Sequence, residues 1–76
     1  MSKPKKLRTL IKGARMGKPH AMYALGILHQ TGRGMPRDLH LAALWIGAAA
    51  ECGYRPAILW MRDYAFDDGA DVQANA

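Results

Sequence analysis

Cysteine and β-branched residues are scarce in this chain of 76 residues. Cys52 is the only cysteine, so no intrachain disulfide can form, which fits a reducing compartment. Valine, isoleucine and threonine together number seven, against 21 alanines and leucines, and this composition disfavours sheet and favours helix. The composition therefore predicts an all-α protein.

Long apolar runs are also missing. The longest, residues 41–50, has ten residues, about half of what a membrane-spanning helix needs. The basic N-terminus lacks the continuous apolar stretch of a signal peptide. We therefore predict a cytoplasmic protein without a membrane span.

Proline and glycine divide the chain at regular intervals. Proline at the start of a helix and glycine just after its end are the usual arrangement. This punctuation predicts four helices, near residues 5–16, 19–31, 39–52 and 56–66. The third has almost no polar side chain, so we expect it to be buried centrally, with the second and fourth helices packed against it.

A chain of this length has room for one modest core, so we expect a single domain over residues 1–66. Residues 67–76 are acidic and have little apolar surface to bury, which predicts a flexible C-terminal tail.

The chain repeats part of itself at an offset of 36 residues. Two segments read A-x-x-G-x-x-x-A, a pattern that predicts a helix end, a glycine turn and the start of a new helix. The identical pairs are Ala14 and Ala50, Gly17 and Gly53, and Ala21 and Ala57. A recurring helix–turn–helix unit indicates antiparallel hairpins stacked as a short α-solenoid of about four helices.

Residues 14–57 resemble the Sel-one-like repeat family, a relative of the tetratricopeptide repeats. The positions that carry the resemblance follow the family order: Ala21, Leu25, Gly26, Gly32, Gly34, Asp38, Ala42, Trp45, Ala49, Ala50 and Gly53. A second unit departs from it at Arg62 and Asp68, where the family has glycine. The resemblance implies a non-catalytic scaffold that binds other proteins.

The resemblance also implies that the first helices of successive units line a concave face. Here these are the second and fourth helices, whose faces away from the predicted core mix apolar and polar residues. The predicted partner-binding residues are His20, Tyr23, Ile27, Gln30, Leu59, Asp63 and Phe66. The partner is a protein or peptide, or a second copy of the chain in a homodimer. The alternative is that Tyr23 and Phe66 only complete the small core.

Residues 1–18 carry seven cations and no acid. Five of them form a predicted basic patch on the first helix: Lys5, Lys6, Arg8, Lys12 and Arg15. Such a patch attracts nucleic acid, anionic lipid or acidic protein, although a solvated helix face has the same composition. The alternative function is therefore a small nucleic-acid-binding regulator. Because residues 63–76 carry four acids and no base, two copies could also attract one another head to tail.

No residue pattern points to catalysis or metal binding. His20, His29, His40 and Cys52 are separated by nine, eleven and twelve residues, which fits no zinc motif. The Gly32-x-Gly34 pair follows a predicted helix, and we interpret it as a helix end rather than a phosphate loop. We therefore predict no enzymatic activity and no cofactor.

Overall fold

The computed structural model describes residues 5–63, which form helices joined by short turns. The helices are α1 (Lys5–Arg15), α2 (Pro19–Thr31), α3 (Leu39–Glu51) and α4, which covers residues 55–63. No strand occurs within these residues, and the all-α prediction is confirmed. The predicted end of the fourth helix and the acidic tail lie outside the described residues.

The ends of α2 and α3 follow from the residues that stand there. Pro19 occupies the first turn of α2, where its missing N–H costs nothing. Gly32 ends α2 at φ 79°, a left-handed conformation that glycine adopts without strain, and its N–H donates to the Leu28 carbonyl. Asp38 caps α3, because its carboxylate accepts a hydrogen bond of 3.0 Å from the Leu41 N–H.

The 36-residue repeat of the sequence corresponds to a repeated turn in the structure. Gly17 and Gly53 have nearly the same positive φ, 84° and 86°. The two turns make matching backbone hydrogen bonds: Gly17 to Ala14 and Lys18 to Gly13 in the first, Gly53 to Ala50 and Tyr54 to Ala49 in the second. The chain thus enters α2 and α4 through the same local geometry.

The core lies where small residues let the helices approach closely. Its buried members come from all four helices: Ala14, Ala21, Met22, Leu25, Ile46, Ala49 and Ala57. The closest approach is at Gly26 of α2, where an added Cβ would overlap the Ile46 side chain. Glycine at this position therefore sets the distance between α2 and α3.

The expectation that α3 is buried on several sides is wrong for one of its faces. Ala42, Ile46 and Ala49 are fully buried, but Leu44 is 60% exposed and Leu41 is 37% exposed. This face is exposed because α3 has too few neighbouring helices to cover all of its sides. α3 packs against α2 and approaches α4, whereas no described helix covers its remaining side. The more central helix is α2, which packs against both α1 and α3 and reaches α4.

Candidate functional site

Two of the predicted binding residues of α2 connect this helix to α4. The Gln30 side chain accepts a hydrogen bond of 3.2 Å from the Trp60 indole N–H. The Tyr23 ring lies 5.5 Å from the ring of Tyr54, which immediately precedes α4. Tyr23 also packs against the core and is half-buried, so it has the core contact that the alternative interpretation expected. Both residues therefore hold α2 and α4 side by side.

The other two predicted residues of α2 differ in their exposure. Ile27 is half-buried and packs against the core, whereas His20 is exposed at the start of the helix. His20 lies at the edge of α2 that faces α1, because it lines the same groove as Lys5 and Lys6. The predicted residues of α2 therefore spread from the α1 edge to the α4 edge.

A groove of about 670 Å³ follows the contact between α1 and α2. Leu10 and Ala24 supply its apolar floor, and Lys5, Lys6 and His20 stand along its edges. A second, mostly apolar hollow shares Lys6 and Leu10 with the groove and adds Leu7, Leu28 and Arg33. The structure thus joins residues of the predicted binding face and of the predicted basic patch, which the sequence alone does not connect.

The remaining residues of the predicted basic patch point in two directions. Arg8 and Lys12 lie with Lys5 on the outer, solvent-exposed side of α1. Arg15 instead borders a cleft that also contains Trp45 of α3. Because Lys5 lines both the groove and the outer side, four of the five cations follow one another around α1, and Arg15 lies apart at the cleft.

The chain carries an excess of positive charge. It has eleven lysines and arginines and six acids, a net charge of +5. Within residues 5–63 no ion pair joins a cation to an acid.

On α4, Leu59 is 40% exposed and Asp63 is exposed. Their spacing of four residues places them on one side of the helix, while Ala57 faces the core. Phe66, the third predicted residue of this face, lies outside the described residues.

Neither a metal site nor a membrane span appears in the described residues. Across residues 5–63, no group of three or more histidine, cysteine or acidic side chains could hold a metal ion. Within the same span, none of the helices combines the length and the apolar character needed to cross a bilayer.

The repeated glycine turn and the antiparallel packing of α2 and α3 define a helical-repeat protein of the hairpin type. The family model described as Sel1 repeat matches residues 19–54, which include α2, α3 and the turn that leads to α4. Residues 19–54 are therefore a Sel1 repeat, and the resemblance found in the sequence is confirmed. Sel1 repeats generally mediate protein–protein interaction and form a non-catalytic scaffold. The chain has no match among curated proteins or solved structures.

Proposed function

We propose that this chain is a protein-interaction module that binds an acidic peptide segment along α2, with α1 and α4 on either side. The observation that carries the proposal is the groove between α1 and α2, which has an apolar floor and cationic edges. The proposed surface comprises the edge cations Lys5 and Lys6 together with the residues expected from the sequence: His20, Tyr23, Ile27, Gln30, Leu59, Asp63 and Phe66.

The groove suits a peptide that has apolar residues on one side and carboxylates on the other. Apolar side chains would cover Leu10 and Ala24, and burial of apolar area would supply most of the affinity. Carboxylates would pair with Lys5 and Lys6, each exposed pair contributing about 0–1 kcal/mol. The net charge of +5 would speed the encounter, an effect that salt weakens.

A charge-reversal experiment tests this proposal. Short peptides selected from a random display library against the whole chain should combine aspartate or glutamate with leucine or phenylalanine. The double variant Lys5→Glu/Lys6→Glu should weaken the best selected peptide by about tenfold or more, measured by fluorescence anisotropy. The matched variant Arg8→Glu/Lys12→Glu makes the same change in net charge on the outer side of α1 and should have an effect of about twofold or less.

Equal losses in both double variants would contradict the proposed groove, because they would show only a general attraction to the positive charge of the chain. Selection of peptides without acidic residues would also contradict it. Circular dichroism of each variant checks that the helices remain folded.

The outer side of α1 favours the alternative function, nucleic-acid binding. Lys5, Arg8 and Lys12 lie together there, with no acid of the described part paired to them. The Arg8→Glu/Lys12→Glu variant separates the functions, because Lys5 belongs to both surfaces. A nucleic-acid-binding protein would bind duplex DNA more tightly than about 100 µM with a steep dependence on salt, and would lose that affinity in Arg8→Glu/Lys12→Glu.

The homodimer and the cytoplasmic location remain predictions. A head-to-tail dimer held by the basic α1 and the acidic residues 63–76 should dissociate when salt rises from about 50 to about 500 mM, because salt screens exposed charges. Sedimentation velocity at the two salt concentrations measures this. A dimer that persists unchanged at high salt would exclude the charge-based arrangement and indicate an apolar contact.

A further inference from the structure

A second cleft, of about 330 Å³, lies on the other side of the contact between α1 and α2. Consecutive residues of a helix point about 100° apart, and this separates the two sites: Leu10 lines the groove, whereas Ile11 lines the cleft. Three helices and the loop between α2 and α3 contribute to the cleft. It shares no lining residue with the groove of the proposed peptide site.

The lining of the cleft combines an apolar surface with two polar side chains. Ile11, Met35 and Trp45 provide apolar and aromatic surface, and Arg15 and His29 provide the polar groups. Sites for small molecules have this composition, with volumes of about 300–1,000 Å³. The cleft is at the lower end of this range, which suits a small ligand with one or two fused rings.

The packing of the helices does not account for a histidine at position 29. Its Nδ1 is shielded from solvent and has no hydrogen-bond partner within the described residues. A buried polar atom without a partner costs free energy, and a leucine at this position would avoid that cost. Because Nδ1 is covered, Nε2 is the ring nitrogen left to donate a hydrogen bond to a bound group.

The loop that borders the cleft is fixed to His29. The Asp38 N–H donates a hydrogen bond of 2.9 Å to the His29 carbonyl, which holds the two ends of the loop together. The Arg37 side chain adds a bond of 3.1 Å to the Gln30 carbonyl. Met35 is therefore presented to the cleft by a loop that is anchored at its base.

Arg15 supplies the charge of the cleft. No acid in residues 5–63 pairs with it, and the cleft itself has no acidic lining residue. A guanidinium and an imidazole donor that line one cleft favour a carboxylate, which can accept hydrogen bonds from both. The aromatic Trp45 on α3 favours a flat apolar body.

We propose that this cleft binds a small organic acid with an aromatic body. The carboxylate pairs with the Arg15 guanidinium and accepts from His29 Nε2, and the ring lies against Trp45 between Ile11 and Met35. This binding site is separate from the proposed peptide surface, so either proposal can fail without the other.

The test uses indole-3-acetate as the probe and the whole chain labelled with nitrogen-15. Titration should shift the Gly34 amide and the Trp45 indole signals together in a saturable way. Two matched compounds separate the parts of the ligand: 3-methylindole has the ring without the carboxylate, and acetate has the carboxylate without the ring. Both should bind at least about tenfold more weakly. Equal binding of 3-methylindole would overturn the proposal, since the cleft would then be only an apolar hollow.

Three variants complete the test. Arg15→Met should weaken the probe at least about tenfold, whereas Arg8→Met, which removes the same charge from the outer side of α1, should not. His29→Leu should abolish binding while the melting temperature stays the same or rises, because the unpaired nitrogen is gone. Failure of indole-3-acetate to bind, or equal effects of the two arginine variants, would overturn the proposal.

Discussion

Gly26→Ala is expected to destabilise the protein, even though alanine is the better helix former by about 1 kcal/mol. The new Cβ would overlap Ile46 Cγ1 and approach the Ala42 carbonyl oxygen to 3.0 Å. Ile46 is fully buried and the Ala42 oxygen belongs to the backbone, so neither atom can move aside easily. Overpacking typically costs about 1–3 kcal/mol and the helix propensity of alanine offsets about 1 kcal/mol of it, so we expect a net loss of up to about 2 kcal/mol in the free energy of unfolding.

Gly47→Ala is the matched control on the opposite helix. Its Cβ would lie 3.8 Å from Met61 Cε, an ordinary contact with the end of a flexible side chain. The helix propensity of alanine should then dominate, and we expect stabilisation by about 0.5–1 kcal/mol. Urea unfolding followed by circular dichroism measures both variants. Stabilisation by both substitutions would show that α2 and α3 are farther apart than the structure places them.

The sequence predicted well those features that depend on a few residues close together in the chain. Pro19, the Asp38 cap and the glycines of the two turns fixed the starts and ends of helices, because capping depends on a few adjacent residues. The 36-residue repeat also predicted the repeated turn, which leads into α2 and α4 through matching backbone hydrogen bonds. The glycine at position 26 could likewise be interpreted as a close contact between helices.

The exposed side of α3 could not be predicted from its composition. An apolar helix indicates apolar neighbours, but it does not say how many are present or which face each of them covers. Leu44 and Ile46 are two residues apart and equally apolar, yet one is 60% exposed and the other is fully buried. Only the positions of α2 and α4 decide between them.

The two candidate sites were missed for a related reason. Each lies between helices, and a helical pattern describes one helix at a time. The groove could have been predicted from the sequence, because antiparallel pairing of α1 and α2 about the turn at Gly17 places Leu10 beside Ala24. The cleft could not have been predicted, because Arg15, His29 and Trp45 come from three helices and meet only through tertiary packing.

Ile46→Ala is expected to have the largest effect on folding. Ile46 is the largest fully buried side chain of the described part and lies in the core where α3 meets α2. Truncating a buried isoleucine to alanine costs about 2–5 kcal/mol. A core of this size rarely supplies more than about 3–5 kcal/mol, so most of the stability should be lost. The far-ultraviolet circular dichroism should fall toward that of an unfolded chain, and amide hydrogen exchange should lose its protection.

Leu44→Ala on the same helix separates the effect of burial from that of helix composition. As Leu44 is 60% exposed, its truncation should change the free energy of unfolding by no more than about 0.5 kcal/mol. A loss comparable to that of Ile46→Ala would mean that Leu44 is covered in solution. A second copy of the chain would then be the simplest cover, because stability gained from association rises with protein concentration. Unfolding curves of the wild type and of both variants over a hundredfold range of protein concentration test this. If the unfolding midpoint of the wild type does not change with concentration, Leu44 faces solvent.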